Sequence, residues 1–344
     1  MGADVSATFV IAEIGVNHNG SMQLARELID AAVAAGADAV KFQTFRAEDL
    51  VTPDARKADY QIANTGDGGS QFQMLKSLEL TEEQFRELAG YCARAGIQFL
   101  STPFSEAAAD LLDRVGVDCF KISSGDLTHL PLLTHVARLG KPIILSTGMG
   151  NLTEIEAALA AIRAAGAPAV SLLHCVSNYP AAVEDCNLAA MDTMVRAFGL
   201  PVGWSDHTEG AAISWAAVAR GARIIEKHIT LDRNLPGPDH RASMEPAAFR
   251  DFVAGIRAIE AAIGNGIKAP TPAERRTAEV ARRSLVAARD LPAGHVLGAQ
   301  DLRIMRPGHG LAPAALDFVL GLALARDVAA LQPLTVQDFR KGDA

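Results

Sequence analysis

Eight short apolar runs alternate with eight segments of helical period between residues 9 and 263, and this alternation constrains the fold more than any other property of the chain. The runs are FVIAEIG (9–15), DAVKFQT (38–44), QFLSTPF (98–104), CFKISSG (119–125), PIILSTG (142–148), VSLLHCV (170–176), PVGWSDH (201–207) and RIIEKHIT (223–230). Helix candidates fill the gaps at 21–35, 81–95, 105–115, 129–139, 153–165, 187–198 and 210–219, and a last one spans 246–263. Thr81 before Glu82, Ser105 before Glu106 and Thr153 before Glu154 read as helix starts. Gly36, Gly96 and Gly116 read as left-handed stops. A strand, a helix and a second strand cross over with a right hand and leave the strands parallel. Eight such units have the count and size of a (β/α)8 TIM barrel. A doubly wound open sheet is the alternative, but Gly15 and Gly20 lie too far apart for the GxGxxG turn such folds carry after the first strand.

One connection is anomalous. About 36 residues separate the second strand from the helix at 81, among them the glycine-rich NTGDGGS (64–70). A loop this long in a compact domain is usually functional or mobile, and on a barrel it would lie at the C-terminal face, over a site. After the barrel, read as 1–266, residues 267–281 are polar and proline-bearing, as a linker with a short helix would be. Residues 282–344 hold a near-repeat, ARDLPAGHVLGAQDL (288–302) against ARDVAALQPLTVQDF (325–339). Two copies of a short β-rich unit make a small pseudo-symmetric domain, too small for catalysis on its own.

Aromatic residues are only 5% of the chain, so Ala, Val, Ile and Leu must build the interior, as in a layered α/β core. The net charge of −8 makes nucleic acid and membrane surfaces poor partners, while a local cluster of Lys and Arg can still hold a small anion. Cys92, Cys119, Cys175 and Cys186 form no CxxC pair and fit a reducing, cytoplasmic setting. No run approaches a membrane span and no signal peptide opens the chain. The start MGADVS fits the loose myristoylation pattern and Asn151-Leu-Thr153 a glycosylation sequon, and neither has supporting context.

In a barrel every strand end faces one cavity, and the polar residues at these ends are numerous. They include Glu13, Lys41, Gln43, Ser101, Thr102, Lys121, Ser123, Ser124, Ser146, Thr147, His174, Ser205, His207, Glu226 and His228. A lysine inside a strand costs several kcal/mol to bury unless a partner offsets it, so something anionic belongs there. A single strand-end histidine is usually a hydrogen-bonded core residue. His207 and His228 end adjacent parallel strands beside an acid, and that favours a metal. Lys41 alone would suit a Schiff base; with Lys121 beside it, both read as phosphate or carboxylate binders. Glu13 either pairs with a lysine or acts as the general base.

The ordered motifs IAEIGVNHNG (11–20), KFQTF (41–45), STPFS (101–105), KISSG (121–125), ILSTGM (144–149), LHCVSNYPA (173–181), GWSDHT (203–208), EKHITLDRNLPGPDH (226–240) and RPGHGL (306–311) resemble the sialic acid synthase family almost from end to end. The resemblance implies a TIM barrel followed by a small β-rich, antifreeze-like (SAF, β-clip) domain. It implies condensation of phosphoenolpyruvate with the open-chain form of an N-acetylated, mannosamine-type sugar. The products would be a nine-carbon 2-keto acid and phosphate. N-acetylmannosamine, giving N-acetylneuraminate, is the first expectation; the legionaminate precursor, a 2,4-diacetamido-2,4,6-trideoxymannose, and the pseudaminate precursor are the alternatives. A divalent metal, manganese first and magnesium or cobalt as alternatives, would sit on His207 and His228. Phosphoenolpyruvate would be held by Lys41, Thr102, Lys121, Ser124 and Ser205, and by Ser177 or Asn178, between which the register is open. Gln43, Tyr179 and Asp239 would contact the sugar. Arg306 would reach the sugar's N-acetyl group in the other subunit of a domain-swapped homodimer. A binding protein built on the antifreeze-like domain and a metal-dependent barrel hydrolase are the rivals. The first needs no buried lysines, and the second usually shows an HxH on the first strand, which is absent.

Overall fold

The computed structural model describes residues 7–66, 68–166 and 168–339. The chain divides into two compact units, Met1–Gly264 and Asn265–Ala344. In the first, β1 (Phe9–Gly15), β2 (Ala39–Thr44), β3 (Gln98–Pro103), β4 (Phe120–Ile122), β5 (Ile143–Ser146), β6 (Val170–Cys175), β7 (Val202–Asp206) and β8 (Ile224–His228) form one parallel sheet. Its order is β3-β2-β1-β8-β7-β6-β5-β4, and β3 packs alongside β4, so the sheet curls into a (β/α)8 barrel whose only seam without a ladder lies there. Helix α1 (Met22–Ala35) follows β1. Where the sequence offers a long loop, three short helices stand, α2 (Ala47–Leu50), α3 (Asp59–Thr65) and α4 (Gln71–Lys76). The outer ring continues with α5 (Glu82–Ala95), α6 (Glu106–Val115), α7 (Leu130–Arg138), α8 (Leu152–Ala165), α9 (Ala189–Phe198), α10 (Ala212–Ala219) and α11 (Pro246–Ile263).

Local chemistry explains the helix ends. Ser21, Thr81 and Ser105 accept hydrogen bonds from the first-turn amides of α1, α5 and α6, and Gly36, Gly96 and Gly116 close the same helices in the left-handed region. The start of α8 differs from expectation. Asn151, not Thr153, is its cap, because Asn151 Oδ1 accepts from the amides of Thr153 and Glu154 while Glu154 returns a bond to the Asn151 amide.

Alternation along each strand sorts side chains into two cores. Val10, Val40, Phe42, Phe99, Phe120, Leu145, Leu172, Trp204 and Ile225 face the helices. Ile11, Ala39, Leu100, Cys119, Ile144 and Leu173 fill the barrel interior. One inward step toward the C-terminal end of the strands, the chemistry changes. The residues two positions on are Glu13, Lys41, Thr102, Lys121, Ser146 and Cys175, joined by Ser205 and Glu226, two beyond Gly203 and Ile224. An apolar plug thus carries a polar floor, as expected where a barrel supports a site on its C-terminal face.

The same alternation corrects three strand-end expectations. Ser101, Thr147 and His174 face outward: Ser101 Oγ lies 2.7 Å from Thr44 Oγ1, Thr147 Oγ1 donates to the Leu173 carbonyl, and His174 Nε2 meets the Cys186 carbonyl at 2.9 Å with its ring against Trp204. Of two adjacent residues on a strand only one can enter the barrel, and Thr102, Ser146 and Cys175 take those places.

In the second unit α12 (Pro272–Ala281) lies within the segment read as a linker, and β9 (Ser284–Ala287) pairs antiparallel with β10 (Leu302–Met305). A short helix, α13 (Leu316–Val319), follows. The sequence repeat becomes a pseudo-two-fold. Leu291 and Val328, equivalent in the two copies, exchange both backbone hydrogen bonds. Asp290 accepts from the Ala330 amide as Asp327 does from Ala293, and the buried Asp301 and Asp338 each hold the arginine of their own copy, Arg289 and Arg326. Leu285, Leu291, Leu297, Leu324, Val328 and Leu334 form its core.

Candidate active site

The polar floor and the strand ends above it line a cavity of 510 Å³. Glu13, Lys41, Gln43, Thr102, Lys121, Ser124, Ser177, Tyr179, Ser205, His207 and His228 all contribute to its wall. The floor is an ion network. Lys41 Nζ lies 2.6 Å from Glu13 Oε2 and 3.7 Å from Glu226 Oε1, and Lys121 Nζ is 3.4 Å from the same Glu226 oxygen. Thr102 Oγ1 accepts from Lys41 Nζ at 3.2 Å, Ser205 Oγ donates to Glu226 Oε1 at 3.2 Å, and Gln43 Nε2 donates to Glu13 Oε1 at 3.1 Å. Beside it the Gly148 amide donates to Ser124 Oγ. A Cβ at Gly148 would fall 2.4 Å from Ser177 Oγ and 2.8 Å from Ser124 Oγ, so the backbone approaches the two serines as only glycine allows.

Burial acts on both carboxyls, and their neighbours separate them. It raises Glu13, which the Lys41 charge only partly opposes and the Glu226 charge reinforces. Burial pushes Glu226 the same way, but Lys121 and Lys41 with the two histidines outweigh it and hold the group well below the usual carboxylate range. Lys41 is raised, because Glu13 and Glu226 overcome its desolvation, while desolvation lowers Lys121. Two acids in one cavity with opposed shifts are suited to different work, Glu226 to staying ionised and Glu13 to holding a proton more readily. Lys41 and Lys121, with the hydroxyls of Thr102, Ser124 and Ser205 beside them, leave the floor attractive to an anion.

His207 and His228 stand above this floor with ring centroids 5.7 Å apart. Burial pulls His207 down to about 4 and, with the neighbouring His207, pulls His228 well below its ordinary value, so both are neutral at pH 7. His207 Nδ1 lies 2.6 Å from the Val176 carbonyl. A carbonyl only accepts, so Nδ1 carries the proton and Nε2 keeps its lone pair. His228 Nδ1 is buried without any hydrogen-bond partner. These donors fit a divalent cation. Among the described residues no group of three or more His, Cys, Asp or Glu is placed to hold one, so the protein would supply the two imidazoles, with further positions left to water and substrate. Tyr179 covers the pair, its ring 4.1 Å from His207, and Tyr60 from α3 stacks on Tyr179 at 5.0 Å.

Residues 28–268 match the model of the NeuB family, and residues 282–340 match the SAF domain. The chain belongs to the NeuB family. It is 45% identical over 94% of its length to the N,N'-diacetyllegionaminic acid synthase of Legionella pneumophila, of which it covers 92%. It is 46% identical to the protein of the same name from Campylobacter jejuni, covering 91% of this chain and 95% of that one. The solved N-acetylneuraminic acid synthetase of Leptospira borgpetersenii superimposes with a TM-score of 0.69 at 35% identity, over 79% of this chain and 90% of that one.

In this NeuB-family barrel the two candidates after β6 are placed differently. Ser177 lines the cavity; Asn178 is exposed and turns its Oδ1 back to the Tyr179 amide. The structure therefore does not bring Asn178 to the site. Asp239 is buried outside the cavity wall; burial raises both it and Tyr60, with the Glu13 charge adding to the first rise and the Asp239 charge to the second. Arg306 is exposed in the second unit, which is a body of its own. Sequence reasoning gave no role to Glu226, although its place two residues before His228 puts both on one face. It also missed Tyr60, Gln61 and Gln71, which reach the wall from α3 and α4 and carry no signal beyond lying in a long connection.

Among the described residues no helix is long and apolar enough to cross a membrane.

Proposed function

We propose that this protein condenses phosphoenolpyruvate with an open-chain N-acetylated amino sugar, releasing phosphate and a nine-carbon 2-keto acid of the sialic acid type. The observation that carries the reading is one cavity in which two buried lysines and an ionised glutamate lie beneath two neutral histidines. Lys41, Lys121, Thr102, Ser124, Ser177 and Ser205 present cations and hydroxyls to the phosphate and carboxylate of the enol ester. His207 and His228 hold a divalent cation, for which manganese is the first choice. When bound, it supplies Lewis-acid polarisation of the sugar aldehyde.

C3 of phosphoenolpyruvate forms the new carbon–carbon bond to C1 of the sugar, whose oxygen takes up a proton. Water adds at C2, and cleavage of the C2–O bond expels phosphate. Glu13, raised by burial and hydrogen-bonded by Gln43, is suited to take the proton of that water. Glu226 stays charged and keeps both lysine ammonium groups directed into the cavity.

For the sugar, our reading is 2,4-diacetamido-2,4,6-trideoxymannose, supported by the higher identity to the two legionaminic acid synthases than to the neuraminic acid synthetase. N-acetylmannosamine, the first expectation from the sequence, is the second reading. Phosphate release from phosphoenolpyruvate, measured with each sugar and manganese, tests both. We expect the largest kcat/KM on the diacetamido sugar and a loss of roughly a hundredfold or more for His207→Ala and for chelated enzyme. Full turnover after stringent metal removal would overturn the metal reading; phosphate release with no sugar preference would overturn the sugar.

A further inference from the structure

The last rung between β7 and β8 pairs Asp206 with Lys227. β7 ends at this rung, so His207 lies beyond the ladder, while His228 closes β8 one residue after Lys227. Alternation turns the side chains of Asp206 and Lys227 away from the cavity, onto the outer face of the sheet where Val202, Trp204 and Ile225 are apolar. There the two form an ion pair 3.1 Å long, with side chains 0% and 2% exposed.

Such a buried pair often stabilises a fold less than two apolar residues of the same size do, so its position asks for another reason. The remaining bonds supply one. Lys227 Nζ donates to the Thr208 carbonyl at 2.6 Å. Asp206 Oδ1 accepts from the Thr208 amide at 2.8 Å and from Thr208 Oγ1 at 2.7 Å, and Asp206 Oδ2 accepts from Ser214 Oγ of α10 at 2.6 Å. The residues on either side of His207 are thus both tied to the residue before His228, and the whole is anchored to a helix. His207 is otherwise held by two contacts to the segment after β6, its Nδ1–H to Val176 and its carbonyl from the Ala181 amide. On the cavity side Ser205 Oγ, donating to Glu226, also joins the two strands; on the outer face the Asp206–Lys227 pair makes the link.

We propose that Asp206 and Lys227 are positioning residues, a clamp behind the barrel wall that sets the spacing and aim of His207 and His228 for a shared divalent cation. The inference rests on reading the two histidines as metal ligands. Neither clamp residue touches the cavity, so each acts through the histidine beside it, as the partners behind ligands do at metal centres.

The test uses metal-stripped full-length protein and reads manganese affinity from the free-ion electron paramagnetic resonance signal at one pH. Asp206→Asn/Lys227→Met removes both charges at nearly constant volume and leaves no lone buried ion. We expect its manganese Kd to rise about 10- to 100-fold, with phosphoenolpyruvate affinity in the absence of metal within about twofold of wild type and the thermal midpoint of the metal-free protein little changed. Ser214→Ala, which loosens only the helix side of Asp206, should raise Kd a few-fold and serves if the double variant fails to fold. A folded double variant, or Ser214→Ala, with wild-type manganese affinity would overturn the clamp. Equal losses of manganese and phosphoenolpyruvate affinity would also overturn it, since they mark a general loosening of the barrel. Wild-type protein whose manganese binding is indifferent to His207→Ala would instead remove the metal reading beneath it.

Discussion

Burial holds the Asp239 carboxyl up at about 7, with the Glu13 charge adding to the rise and Lys41 opposing it. The ordinary value is 3.8, so between 3.8 and about 7 the folded protein keeps a proton that the unfolded chain releases. The stability this contributes is full below 3.8 and is lost as pH rises through 7. Below the transition the neutral acid offers a donor and an acceptor, much as an amide does; above it the group only accepts. If Asp239 contacts the sugar, Asp239→Asn should match the wild-type sugar KM within about threefold near pH 6, and the two should diverge about tenfold by pH 8.5. Steady-state KM across this range is the measurement, and parallel curves would exclude the contact. Glu226 was readable in the sequence, since it shares a strand face with His228, whereas its ionised state was not. That state depends on Lys121 and Lys41, which arrive from other strands.

At the level of elements, the end of β1 is shaped by an irregularity. The register with β2 shifts between Glu13 and Gly15, so one residue is extra, and Gly15 takes φ +55. Such a bulge re-aims the neighbouring side chain, here the Glu13 carboxyl under Gln43. A Cβ at Gly15 would sit 3.0 Å from Glu13 Oε1 and 3.2 Å from Gln43 Nε2, in a backbone conformation that L residues avoid. Gly15→Ala should therefore lower kcat about 10- to 100-fold through a displaced Glu13 and cost ~1–2 kcal/mol of stability. Kinetics paired with denaturant unfolding would separate the two effects, and unchanged kcat would refute the role of the bulge. The sequence carried no trace of this shift. Nor did it reveal α2, α3 and α4, because four to seven residues make too few turns to display a period.

On the scale of the whole molecule, two bodies with different building rules share one chain. The barrel is a parallel sheet whose polar floor appears one inward step above an apolar plug. The second unit is a pseudo-two-fold in which equivalent residues of a repeat bond to each other. For a domain-swapped dimer in which Arg306 serves the partner's site, mixing impaired Arg306→Ala and His207→Ala chains gives an assay. After unfolding and refolding together, half the dimers are mixed and each holds one intact site, so about a quarter of wild-type turnover should return. No recovery above the separate chains would refute the exchange.

The order of strands and helices, the (β/α)8 count, the repeat and the pairing of His207 with His228 at one rim are all fixed by local pattern, because periodicity and crossover handedness act within a few tens of residues. What only tertiary structure decided is what happens where strands meet. It turned His174 away from the cavity, put Ser177 and not Asn178 on the cavity wall, stacked Tyr60 on Tyr179 and parted the affinities of two buried glutamates for a proton. These outcomes depend on distances of a few ångströms between residues far apart in the chain, where burial and charge act together.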